Sequence, residues 1–178
     1  MRRNNPLWIR ILLVAWFLWL ADIGSKTWAL ATLEGREPQK ILGNYLELTL
    51  AKNSGAAFSL ATGRAFLLAT FAILVIATIG FWASRLTSRP WSLVLGLVLG
   101  GTLGNLTDRI FRAGPKRGMF QGQVIDWISI PHWPIFNLAD SAIVIAAVMA
   151  TVLAIRNIAP ISTKKSGKNS EGEDPDGS

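Results

Sequence analysis

AFLLATFAILVIATIGFWA, running from Ala65 to Ala83, holds no charged residue in 19 positions. As an α-helix it is about 28 Å long, enough to cross the hydrocarbon core of a bilayer. Its length and apolarity define the fold class as an α-helical integral membrane protein. Composition agrees, since the 178 residues are 51% apolar and 16% charged and include eight Trp, a balance suited to lipid rather than water.

The same pattern recurs on both sides of this run. Upstream, Arg2 and Arg3 precede an apolar stretch within which Arg10 can snorkel, giving a first span over about 8–33. A cleavable signal peptide is the alternative, with an apolar core from Ile11 to Ala21 and a small-residue site at Ala29-Leu30-Ala31. That site lies too far beyond the core, and Trp28 and Leu30 continue the helix, so a retained span is preferred. Downstream of the second span, 65–83, a basic turn with Arg85, Arg89 and Pro90 leads into a third span over about 91–108. Gly96, Gly100 and Gly104 recur there every four residues, so they share one face on which another helix can pack closely. Ile135 to Ile155 makes the fourth span, 135–155. The tail, 160–178, is rich in Ser, Gly, Lys and acids and cannot build a core, so it is expected to be disordered. Residues 1–159 therefore read as one four-span membrane domain.

Two longer segments link the spans on the side opposite the basic turn. In one, Leu46, Leu48 and Leu50 alternate with Glu47 and Thr49 after a Gly43-Asn44 turn signal, predicting a small sheet at the membrane surface. In the other, from Arg109 to Pro134, Gly114-Pro115, Gly118 and Gly122 break any helix and predict a semi-ordered flap. Lys and Arg divide evenly between the two sides, but long loops count little and the short turn is purely basic. The termini, turn and tail are therefore expected in the cytoplasm, and the sheet and flap outside it.

Several chemistries are excluded. With no Cys there is neither a thiolate nucleophile nor a Cys-based metal site, and the single His132 cannot build a His-rich one, so no metal and no cofactor is expected. The net charge of +7 does not signal nucleic acid, because the basic residues sit at the ends of apolar runs, where they meet lipid headgroups.

Alternation of the spans brings a set of polar residues to one surface. Asp22 and Lys26 lie toward the end of the first span, Asn53 follows the strand, and Asn105, Asp108 and Arg109 end the third. Asp126, Asn137 and Asp140 stand at the start of the fourth. Asp22 with Lys26, Asn105 with Asp108, and Asn137 with Asp140 are spaced to share helix faces. An ordinary intrahelical ion pair explains Asp22 and Lys26 as well as a site does, and Asp108 with Arg109 fits a tether between helix and flap. Asn137 and Asp140 are harder to explain as structure, because carboxylates at membrane depth are costly. Two carboxylates close together share a proton, so one acts as base and the other as acid toward a bound water. Asp126 and Asp140 are the candidate dyad, with asparagines supplying orienting donors. Ser25 and Lys26 are adjacent and point to different faces, a poor arrangement for nucleophile and base. A small proton- or cation-coupled transporter, or a non-catalytic scaffold, is the alternative use of such acids.

Five blocks in order carry a family resemblance: DIGSK at Asp22 to Lys26, NSGAAF at Asn53 to Phe58, GNLTDR at Gly104 to Arg109, VIDW at Val124 to Trp127, and FNLADS at Phe136 to Ser141. From the first span to the end of the fourth, the sequence resembles lipoprotein signal peptidase, also called signal peptidase II. The resemblance implies a multi-pass aspartic endopeptidase of the bacterial cytoplasmic membrane, sensitive to globomycin, and a monomer is expected. It implies cleavage of prolipoproteins just before the diacylglyceryl-modified Cys, near the extracytoplasmic face. By motif, Asp126 and Asp140 match the family's catalytic pair, and Asn53, Gly55, Asn105, Asp108, Arg109 and Asn137 match residues that support site and substrate. Asp22 and Lys26 match a pair with a more structural part. The sequence departs from the pattern at Trp127, where Phe is common, and across 112–123, which is longer than in compact members.

Overall fold

The computed structural model describes residues 6–55, 64–112 and 120–161. Four helices and three strands follow in the order α1 (Leu7–Leu33), β1 (Gln39–Lys40), β2 (Glu47–Asn53), α2 (Arg64–Ala83), α3 (Arg89–Phe111), β3 (Val124–Ser129) and α4 (Leu138–Ile155). By length and composition α1, α2 over Ala65–Ala83, and α4 are apolar enough to cross a membrane. The protein is thus a predominantly helical membrane protein with a small sheet.

Helix α3 is long but less apolar because it packs against each of the other three helices. Its glycines do not serve one neighbour. A Cβ at Gly96 would come 2.7 Å from Val14 Cβ, and one at Gly100 2.8 Å from the Ala15 carbonyl, so both seat α1. Gly101, outside the four-residue series, seats α4, where a Cβ would stand 2.6 Å from the Ala139 carbonyl. Gly104 lies between them, facing the Asp22 carboxylate and Ala139 Cβ. Small residues let backbones approach until dispersion contacts hold the helices, the driving force available where lipid is as apolar as Leu. Leu7, Ile11 and Ala15 of α1 form a buried cluster with Ile79, Leu86 and Leu99, and Val94 packs with Ala146 and Leu153. Helix α1 therefore runs parallel to α3 and α4 runs antiparallel, bringing the C-terminal ends of α1 and α3 to the start of α4.

The sheet has the order β1-β2-β3, both pairs antiparallel. Leu46 is the residue before β2, and the expected alternation carries into the strand, preceded by a turn in which Gly43 adopts φ 56°. The flap reading of 109–134 is corrected in part, because Val124–Ser129 is an ordered strand pairing Asp126 with Ala51. Backbone pairing to β2 fixes it, and Gly122 packs so closely on the end of α3 that a Cβ would overlap the Asp108 carbonyl. Gly114, Pro115 and Gly118 lie outside the described residues, as do Ala56 to Phe58. The fourth helix begins at Leu138 rather than Ile135, with Asn137 as its N-cap. The third begins at Arg89, with Pro90 in its first turn, where a missing N–H costs nothing. The tail expected to be disordered falls, from residue 162, outside the described residues. Before it, the Pro160 carbonyl accepts from the N–H groups of Thr87 and Ser88, and Trp91 Nε1 donates to the Ile158 carbonyl at 2.6 Å.

Candidate active site

Asn137 is the joint of the polar cluster. As N-cap of α4 its Oδ1 accepts the Asp140 backbone N–H at 2.9 Å, and Asp140 Oδ2 accepts the Asn137 N–H at 3.3 Å, a reciprocal capping box. Because Oδ1 is committed to this cap, the amide nitrogen faces the other way, where it donates to Asp126 Oδ1 at 2.7 Å. One residue thus holds both carboxylates, that of Asp126 through its side-chain amide and that of Asp140 through its backbone N–H. The two aspartates are brought together through it rather than by a shared hydrogen bond, and Asn137 does not share a helix face with Asp140 as its spacing suggested.

Each carboxylate has a second amide donor. Asn53 Nδ2 donates to Asp126 Oδ2 at 3.1 Å, and Asn53 Oδ1 accepts the Gly55 N–H at 2.8 Å, which fixes the Asn53 amide. Gly55 adopts φ 83°, a conformation open to glycine but strained for other residues. Asn105 Nδ2 donates to Asp140 Oδ1 at 2.8 Å. Asp126 is buried and Asp140 half-buried.

Below the asparagines lies a buried ion cluster. Lys26 Nζ is 2.7 Å from Asp22 Oδ2, 3.0 Å from Asp108 Oδ2 and 3.0 Å from Asn105 Oδ1, and Asp22 and Lys26 are fully buried. Asp22 Oδ1 also accepts the Ala139 N–H at 3.0 Å, capping the first turn of α4. Asp108 does not serve chiefly as a partner of Arg109. It pairs with Lys26 and Arg112 and accepts the Ile125 N–H at 3.2 Å, tying α3 to β3. The buried Arg109 lies within electrostatic reach of Asp126, Asp108 and Asp140, and its Nη1 is without a hydrogen-bond partner among the described residues. Among the described residues every acid within a helix, Asp22, Asp108 and Asp140, belongs to this cluster.

Burial pushes the Asp126 carboxyl up from the ordinary 3.8 to about 6, opposed by the Asn53 donor and reinforced by the charge of Asp140. The folded protein therefore binds this proton over a pH range where the unfolded chain has released it. The stabilisation is complete below 3.8 and is lost as pH rises through about 6. Its size is about 2–3 kcal/mol from the pKa difference. Thermal unfolding in detergent micelles, measured against pH for wild type and Asp126→Asn, is expected to show wild type losing midpoint relative to the variant between about pH 4 and 6.5. Parallel curves would contradict the raised pKa.

Two carboxylates in reach of one residue, one of them raised to about 6, form an acid–base pair able to activate a water. Comparison with known proteins points the same way. The model of a family described as Signal peptidase (SPase) II matches residues 14–156. The lipoprotein signal peptidase of Streptomyces coelicolor is 45% identical over 150 residues, covering 84% of this chain and 72% of that one. Those of Rhodococcus jostii and Mycobacterium tuberculosis are 41% and 43% identical, over 87% and 84% of this chain and 77% and 73% of theirs. Two solved structures of bacterial membrane enzymes, determined by the in meso method, share the fold, with TM-scores of 0.72 and 0.69 at 22% identity. They align with 83% and 87% of this chain and 93% of each of theirs. With its polar cluster on one surface of that fold, and a family match spanning most of its length, the chain belongs to the signal peptidase II family.

Proposed function

We infer that this membrane aspartic peptidase removes signal peptides from prolipoproteins by directing a water held between Asp126 and Asp140 at the scissile carbonyl. Family membership supplies the reaction class. The observation that supports these two residues as its agents is Asn137, whose side-chain amide holds the Asp126 carboxylate while its backbone N–H holds that of Asp140. In this mechanism the ionised carboxylate takes a proton from water as its oxygen attacks the carbonyl. The protonated carboxyl gives its proton to the carbonyl oxygen. Collapse of the tetrahedral intermediate then returns a proton to the leaving nitrogen. The proton belongs to the pair. The amide groups of Asn53, Asn105 and Asn137 keep both carboxylates aimed, and the free end of Arg109 beside Gly55 suits a substrate carbonyl.

The substrate proposed is a precursor carrying a diacylglyceryl-modified Cys, cut just before that residue. We place α3 as a fourth span within a single membrane domain. At 23 residues it is about 35 Å long, and its modest apolarity suits a helix surrounded by other helices. The termini then lie in the cytoplasm and the site near the extracytoplasmic face, reached from surrounding lipid by a monomer. Incubating the purified protein in detergent with a diacylglyceryl-modified precursor is expected to yield a product shortened by the signal peptide. An intact precursor, under conditions where another signal peptidase II cuts it, would reject the assignment.

A further inference from the structure

We propose that Lys26 is a positioning residue for the reaction, holding the Asn105 amide so that its N–H group stays on Asp140. The inference rests on Asp126 and Asp140 acting as the dyad. Lys26 is fully buried, and an ammonium carries three donors and no acceptor. It forms ion pairs with Asp22 Oδ2 and Asp108 Oδ2 and donates a hydrogen bond to Asn105 Oδ1. Asn105 must therefore turn its oxygen toward Lys26. An amide has one oxygen and one nitrogen end, so the nitrogen is left facing Asp140 Oδ1 at 2.8 Å. A flipped amide would set N–H against ammonium and oxygen against carboxylate, unfavourable at both ends. Asn137 Nδ2, 3.2 Å from Asn105 Oδ1, reinforces the same orientation.

The two carboxylates beside Lys26 do not depend on it alone. Asp22 caps Ala139 N–H, and Asp108 holds Arg112 and the Ile125 N–H. Lys26 and Asn137 both donate to the Asn105 oxygen, and Lys26 supplies the charged donor that sets its orientation. Charged groups in reach of Asp140 are Asp126 on β3 and Arg109 on α3, while Lys26, paired with Asp22 and Asp108, stands on the other side of the Asn105 amide. Removing the ammonium while keeping the charge balance isolates the amide.

The test is the double substitution Asp22→Asn, Lys26→Met. It is neutral overall, and the new amide oxygen at position 22 can still accept the Ala139 N–H. With thermal midpoint and helical content near wild type, kcat on a diacylglyceryl-modified precursor is expected to fall about 10- to 100-fold, as when a supporting partner of a reactive group is lost, with KM little changed. Asn105→Leu leaves both ion pairs of Lys26 in place and is expected to show the same loss of kcat with KM little changed. Wild-type kcat in either folded variant overturns the proposal, and Asn105→Leu decides alone should the double variant not fold. Asp140→Asn, assayed in parallel, separates the two ideas. If it is inactive while the double variant is fully active, only the role of Lys26 falls; if it is active, the dyad itself falls.

Discussion

Asp126→Asn and Asp140→Asn are each expected to lower precursor cleavage by at least about 10³-fold, the scale of lost acid–base catalysis, while leaving a folded protein. An amide neither takes a proton from water nor donates one as a carboxyl does, so either substitution removes a proton-transfer partner. The structural costs differ and are smaller. Asp126 receives amide N–H groups on both oxygens, from Asn53 and Asn137, and neither donor can turn round. The oxygen of Asn53 is held by Gly55 N–H and that of Asn137 by Asp140 N–H. An amide at 126 must therefore set one N–H₂ group against another, at about 1–3 kcal/mol. Asp140→Asn meets the same conflict at either Asn105 or the Asn137 backbone, where half of the capping box is at stake for about 1 kcal/mol. Neither cost reaches the stability of an ordinary domain. Circular dichroism and gel filtration in detergent check folding, and product mass checks cleavage. Either variant cutting within about tenfold of wild type would remove its aspartate from the proton transfers.

The sequence made the helices legible because lipid imposes a length and an apolarity on each. It made the common surface legible because alternating spans leave few choices for their ends. The geometry within the cluster was less accessible. The strand Val124–Ser129 shows no polar and apolar alternation, since Asp126 shares a face with Val124 and Ile128, and the glycines before it suggested a loop. Pairing to β2, more than 70 residues away, makes it a strand. Asn137 was placed inside the helix by the apolar run, although Asn three residues before Asp at the start of such a run is close to a capping signature. Lys26 was legible as the partner of Asp22, one helical turn away. Its reach to Asn105 spans 79 positions and depends on how closely α3 packs against α1. Gly101 escaped the four-residue count because it faces a different helix.

Gly104→Leu is expected to lose both activity and fold stability, because that close approach has no slack at this position. A Cβ at 104 would overlap Asp22 Oδ2, come within 3.0 Å of Asp22 Cγ and lie 3.2 Å from Ala139 Cβ. Even a methyl must push the Asp22 carboxylate away from Lys26 or from the Ala139 N–H, and an isobutyl group must separate α3 from α1 and α4. Overpacking alone costs about 1–3 kcal/mol. Displacing one member of a buried ion cluster adds about 3–5 kcal/mol, since the partner charge is left without its counterion. The sum is comparable to the whole stability of a small domain. Gly24→Ala and Gly80→Ala are the controls, since nothing lies within 4 Å of a Cβ at either position. Both are expected to fold and cleave like wild type, with a slight gain from the better helix former. Thermal unfolding and cleavage measured on the three variants separate crowding at one position from a general intolerance of helical substitutions. A Gly104→Leu protein with wild-type midpoint and activity would mean that α1, α3 and α4 do not meet at this glycine, and the Asp22–Lys26–Asn105 geometry built on that meeting would fall with it.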